Sequence, residues 1–194
     1  MVKMIQYYRQ ENPSQRFSRF IERRGSDKKT DDLRTLSSNE KALVEIISYC
    51  IMPTHFHLVL TQMKDGGISI FVNNLLNSYT RYFNTKLKRK GPLWESRFKS
   101  VFVGTDEQLL HLTRYIHLNP VTAYLVDQPE DWGFSSYNEY VGNALSENKI
   151  CEYDNVLDIT PSSYGDFVKD RISYQRSLGW IKNVALEETQ MYTA

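Results

Sequence analysis

Residues 44–61, Val-Glu-Ile-Ile-Ser-Tyr-Cys-Ile-Met-Pro-Thr-His-Phe-His-Leu-Val-Leu-Thr, constrain the fold more than any other stretch. The run is rich in β-branched and aromatic residues and is interrupted once, at Pro53-Thr54, where proline ends hydrogen-bonded pairing. Residues 44–52 and 55–61 therefore read as two strands joined by a tight connection. Side chains alternate faces along a strand, so His55 and His57 project from one side, while Phe56 and Leu58 are expected in the core. Two imidazoles on one point are a geometry for holding a divalent metal, with the remaining ligands deciding which. An isolated His-x-His pair more often hydrogen-bonds to backbone or solvent, so the pair needs support from elsewhere.

That support comes from the segment Leu109-Leu-His-Leu-Thr-Arg-Tyr-Ile-His-Leu-Asn-Pro120. Leu109, Leu112, Ile116 and Leu118 have roughly the spacing of a helix with one buried stripe. On such a helix His111, Tyr115 and Asn119 lie four residues apart and share a face. His117 points elsewhere and reads as structural. Pro120 disfavours helical geometry at Asn119, so the helix is expected to end there.

With Ser78-Tyr-Thr-Arg-Tyr-Phe-Asn84, Gly91-Pro-Leu-Trp-Glu-Ser-Arg-Phe-Lys-Ser100 and Ser135-Ser-Tyr-Asn-Glu-Tyr140, these two segments form an ordered set from about residue 44 to residue 140. In order and spacing the set resembles the single-tyrosine HUH transposases, and most closely the REP-associated tyrosine transposases. The resemblance implies that His55 and His57 bind a divalent metal, that Asn119 supplies a further ligand, and that Tyr115 is the nucleophile. Two nitrogen ligands and an amide oxygen suit Mg²⁺ or Mn²⁺, and ligand type alone leaves Zn²⁺ open. It implies a homodimer acting on short hairpins in single-stranded DNA, and a ferredoxin-like core with the histidine pair on a central strand. The family's first strand carries an aromatic-His-x-x-x-Arg-Gly type of sequence that this chain lacks. Its place is expected to be taken by residues 1–8 or by a partner, or else to be empty in a truncated copy.

Composition fits this reading. With 194 residues, 41% of them hydrophobic, the chain can bury one core followed by a tail. The formal net charge of +1 hides an asymmetry: between residues 81 and 99, Arg81, Lys86, Lys88, Arg89, Lys90, Arg97 and Lys99 face a single acid, Glu95. A lone basic run is usually a solvated surface. Interleaved Tyr79, Tyr82, Phe83, Trp94 and Phe98 make single-stranded nucleic acid the better expectation, because bases stack on aromatic rings. Cys50 and Cys151 are too few for a disulfide framework or a zinc knot and read as reduced thiols. No run approaches membrane-spanning length, and residues 1–10 lack the long apolar core and small-residue cleavage site of a signal peptide, so a cytoplasmic, nucleoid-associated protein is expected.

Further along, Asn12-Pro13-Ser14 with Phe17, Phe20 and Ile21 predicts a capped helix ending near Gly25, and residues 25–39 a polar loop. Gly66-Gly67 precedes a long helix over residues 70–88, with Phe71, Leu75, Tyr79, Tyr82 and Phe83 as its inner stripe. Residues 99–104 are expected as a further short strand. The fold class is α+β, an antiparallel sheet with helices on one face. Residues 1–140 are expected to form the transposase-like domain and residues 141–194 a helical extension, where Asp154, Asp158, Asp166 and Asp170 read as solvated charge.

A tyrosine oxygen, with an ordinary pKa of about 10, can attack phosphorus when a nearby cation stabilises the charge developing on the non-bridging oxygens. Strand cleavage with a 5′-phosphotyrosine and a free 3′-hydroxyl follows, and the stored bond permits transfer to another 3′ end. Two rivals stand beside this. One is a hydrolase whose metal sits on His55, His57 and either His111 or His117, with water as nucleophile. The other is a non-catalytic protein that binds hairpin DNA through the basic segment. His111, on the tyrosine's face, is an accessory candidate that could tune Tyr115 or touch DNA.

Overall fold

The computed structural model describes residues 1–11, 13, 17, 20 and 42–177. The expected loop over residues 25–39 and the end of the first predicted helix lie outside the described residues; Phe17 and Phe20 themselves are helical. The elements are α1 (Val2–Tyr8), β1 (Val44–Ile51), β2 (Phe56–Gln62), α2 (Gly67–Lys86), α3 (Asp106–Thr122), α4 (Tyr137–Tyr140) and α5 (Pro161–Lys169), with a further helical turn over residues 172–177. The protein is α+β: β1 and β2 pair in a two-stranded antiparallel sheet, closed at Pro53-Thr54 by the bond from Met52 N–H to the carbonyl of His55 (2.8 Å). No helix among the described residues is long and apolar enough to cross a membrane.

The chain divides into two compact units, residues 1–47 with 60–102 and residues 48–59 with 103–194, each receiving one half of the hairpin. In the first unit Met4 and Ile5 of α1 and Phe71, Val72 and Leu75 of α2 are buried, with Leu43, Val44, Ile46 and Ile47. Residues 1–8 thus do not replace a strand; seven of them are helical and bury Met4 and Ile5. The start of α2 depends on two glycines. Gly66 caps it at φ 68°, a left-handed conformation that costs other residues steric energy. At Gly67 a Cβ would lie 2.3 Å from the carbonyl oxygen of Leu43, so only hydrogen fits. Further along α2 the predicted stripe fades: Tyr79 and Phe83 are half-buried and Tyr82 is 49% exposed.

In the second unit α3 is capped by Thr105, whose hydroxyl accepts from Gln108 N–H (3.1 Å), while the Gln108 side chain accepts from Gly104 N–H (2.9 Å). Asp106 and Glu107 in the first turn complement the helix dipole. Against expectation, α3 passes through Pro120 and ends at Thr122. The carbonyl of Ile116, which loses its partner at proline, receives the Asn119 side-chain amide at 3.5 Å, and Ala123 N–H closes the last turn on Asn119 (2.9 Å). Segment 134–136 runs beside the outer half of β1: Ile51 N–H donates to Phe134 and Ser136 N–H to Tyr49, at 2.9 and 3.0 Å. Residues 99–104, expected as a strand, have no strand pairing, and Val101 and Phe102 are 85% and 88% exposed.

Candidate active site

The four residues placed together by their spacing all lie in the second unit. His55 precedes β2 and His57 is its second residue; their ring centroids are 5.0 Å apart at 87°. Period-two geometry accounts for this pairing. The companion expectation fails, since Phe56 and Leu58 are only half-buried and the one buried residue of β2 is Val59, on the parity of the histidines. Thr54 Oγ1 lies 3.1 Å from His55 Nδ1 and steadies that ring. The Tyr115 ring packs edge-on against His57 at 5.9 Å.

Several polar atoms here are left uncommitted. His57 Nε2 is buried without a hydrogen-bond partner, a state that costs free energy unless a ligand completes it. Burial, and secondarily the neighbouring His55, hold the His57 imidazole below the usual histidine range, so at neutral pH it carries a free lone pair. Asn119, one turn beyond Tyr115, donates its amide nitrogen to the carbonyls of Tyr115 (3.1 Å) and Ile116 (3.5 Å). Carbonyls only accept, so the nitrogen faces them and Asn119 Oδ1 is left without a hydrogen-bond partner among the described residues. Tyr115 is 42% exposed, and its hydroxyl has no hydrogen-bond partner among the described residues. Neutral imidazole nitrogen and amide oxygen are the donor types that a divalent cation accepts, so this set fits one.

Neither of the other histidines joins the pair. His111 Nδ1 lies 2.7 Å from Arg114 Nη2, and the His111 ring packs on Phe167 of α5. Arg114 stacks on the same ring at 4.0 Å. His117 is wholly buried, with Nε2 2.7 Å from Ser136 Oγ and 3.1 Å from Ser48 Oγ, and Nδ1 2.6 Å from the Tyr164 hydroxyl. Tyr137, Tyr140 and Tyr164 surround it edge-on. Burial holds its pKa down at about 3, so it is neutral, one nitrogen donating and the other accepting. This network ties the back of α3 to β1, to the start of α4 and to α5. Among the described residues no three His, Cys, Asp or Glu side chains converge.

The family described as IS200-like transposases matches residues 25–119, a span that holds His55, His57, Tyr115 and Asn119. Over that span, just under half of its length, the chain is similar to IS200-like transposases. A Haemophilus influenzae protein provisionally named a REP-associated tyrosine transposase is 28% identical over 107 residues, 50% of this chain and 61% of the relative. The chain thus spans about three-fifths of the length of that relative. No solved structure matches it.

The basic segment belongs to the first unit. Arg81, Lys86, Lys88, Lys90, Arg97 and Lys99 are exposed at the end of α2 and beyond it, Lys88 in a left-handed turn at φ 51°. Arg89 differs, because it bonds Asn84 Oδ1 (3.1 Å) and the Pro92 carbonyl (2.8 Å) and so holds the turn. Trp94 is half-buried, donates its indole N–H to Thr80 Oγ1 (2.9 Å) and lies 5.9 Å from the Tyr79 ring. Its ring is therefore fixed on α2. Sequence reasoning does not reach Ser48, Ser136 and Tyr164, whose pairing with His117 spans 69, 19 and 47 residues. Nor does it reach Asn73 and Asn77 of α2, which a four-residue spacing on a polar face would have singled out.

Proposed function

We propose that this protein cleaves single-stranded DNA and transfers the cut strand through a 5′-phosphotyrosine on Tyr115, acting on short hairpins in a transposition-type reaction. The observation that carries the reading is the edge-on contact of the exposed Tyr115 ring with His57, whose Nε2 is buried without a partner, with Asn119 one helical turn beyond the tyrosine. His55, His57 and Asn119 would hold Mg²⁺ or Mn²⁺, which when bound polarises the scissile phosphate and offsets charge developing on its non-bridging oxygens.

Tyr115 Oη attacks phosphorus in line as the bond to the 3′ oxygen breaks. The phenolic proton leaves to solvent, to which Tyr115 is open, and the departing strand ends in a 3′-hydroxyl. Reversal with a different 3′-hydroxyl rejoins DNA without an external energy source. His117 and its partners hold α3 by hydrogen bonds, which keeps the Tyr115 oxygen at a defined place; positional error of about 1 Å costs such chemistry roughly 100-fold. The basic side chains Arg81, Lys86, Lys88, Lys90, Arg97 and Lys99 attract the phosphate backbone. One chain supplies the histidines, the amide and the tyrosine, and the homodimer implied by the resemblance would present two such sets.

Denaturing electrophoresis tests this with a labelled hairpin oligonucleotide and Mg²⁺ or Mn²⁺. The wild type gives a slow-moving covalent band, and Tyr115→Phe gives none while melting at the wild-type temperature, because an exposed hydroxyl without a protein partner contributes little to stability. Cleavage without a covalent band makes water the nucleophile and overturns the reading.

A further inference from the structure

On α2, Ser69, Asn73 and Asn77 stand four residues apart and rise one above another on a single exposed face. Facing them, Trp94, Arg97 and Phe98 complete the wall of a cavity of about 520 Å³, within the range of small-ligand pockets. Among the described residues no carboxylate lines it. The Asn73 and Asn77 amides and the Arg97 guanidinium have no hydrogen-bond partners among the described residues. One wall is pre-formed, since the Thr80 hydroxyl holds the Trp94 indole N–H at 2.9 Å. The result is an aromatic platform, two amide edges and a cation around one opening.

We propose that this cavity takes one unpaired purine base of single-stranded DNA, with the base edge on Asn73 and Asn77, its face on the Trp94 and Phe98 wall, and its phosphate on Arg97. The proposal rests on the DNA-cleaving reading above and adds a base-reading site to it. An asparagine amide matches the donor and acceptor of an adenine edge, and its two N–H donors can serve the paired acceptors of guanine, whereas a pyrimidine offers a smaller face. Stacking on a fixed ring needs an unpaired base, because a base inside a duplex has both faces covered.

The test uses four fluorescein-labelled octathymidylates that carry T, C, A or G at the fourth position, with binding to the full chain read by anisotropy at one salt concentration. The wild type binds the A or G oligomer about tenfold more tightly than the all-T oligomer. Asn73→Ala/Asn77→Ala, at two exposed positions, brings all four affinities to within about twofold. Asn77→Asp, which keeps the shape but removes the amide donor, also loses the preference for A. A wild type that does not discriminate, or a double variant that keeps the tenfold preference, overturns the proposal while leaving the Tyr115 band of the wild type in place. A wild type that binds none of the oligomers also overturns the pocket, while the covalent band on the hairpin oligonucleotide separately decides the DNA-cleaving reading.

Discussion

The Tyr115 region and the basic segment hold their functional groups in opposite ways. Behind Tyr115, α3 is tied by buried hydrogen bonds from His117 to Ser48, Ser136 and Tyr164, and each of these groups satisfies another. Along residues 81–99 the charges are exposed and, apart from Arg89, do not fix the chain around them. The difference reflects the work proposed for each. Bond-making needs an oxygen held to a fraction of an ångström, so its support is buried and cooperative. Attraction to a phosphate backbone acts over a Debye length and tolerates mobile side chains, so long exposed lysines suffice.

The comparison breaks most sharply at the histidines. His57→Ala, and separately His55→Ala, is expected to lower metal-dependent cleavage by about 100-fold or more, since each removes one of the three proposed ligands. Single-turnover cleavage over a Mn²⁺ titration measures it. Full-rate, metal-dependent cleavage in both variants would put the ion on other residues and dissolve the contrast between a positioned site and a diffuse one.

Next in size is the effect of charge. Replacing Lys86, Lys88 and Lys90 with alanine, with Arg89 kept because it holds the turn, should flatten the dependence of log affinity on log salt by about two, at roughly 0.7 per phosphate contact. The melting temperature should not move, because these side chains are exposed. An unchanged slope would remove the segment from the DNA interface.

The smallest effect sharpens the other side of the comparison. The folded-state pKa of His117 is about 3, against an ordinary 6.5. Between those values the unfolded chain binds a proton that the folded chain excludes, so stability is fully present above pH 6.5 and is lost as pH falls toward 3. At pH 5 this group alone should destabilise the fold by about 2 kcal/mol relative to neutral pH. Urea unfolding at the two pH values measures it, and His117→Gln should flatten that part of the dependence. A wild type with equal stability at both would mean that the His117 network opens to water.

Much of the candidate site is legible in the chain because it depends on short-range periodicity. Residues two apart on a strand share a face whatever the strand packs against, and this brings His55 and His57 together. Residues four apart on a helix do the same for Tyr115 and Asn119. Less legible is anything decided by what covers a face. Tyr82 has the right period for the inner stripe of α2 yet is 49% exposed, and Val59 is buried where Phe56 and Leu58 were expected. Pro120 shows a local rule overridden locally: the preference of the residue before proline for extended backbone loses to a helix whose lost bond is replaced by the Asn119 side chain.

By itself the sequence determined the hairpin at Pro53-Thr54, the two helices α2 and α3, the histidine pair and the tyrosine ridge, because propensity and period act within a few residues along the chain. Only the tertiary structure decided that His117 is neutral and caged by tyrosines, that Trp94 is pinned to Thr80, and that Asn73 and Asn77 face an aromatic wall. Those outcomes depend on hydrogen bonds and packing between residues well separated along the chain, and burial, which sets both protonation and hydrogen-bond satisfaction, is a property of the assembled fold.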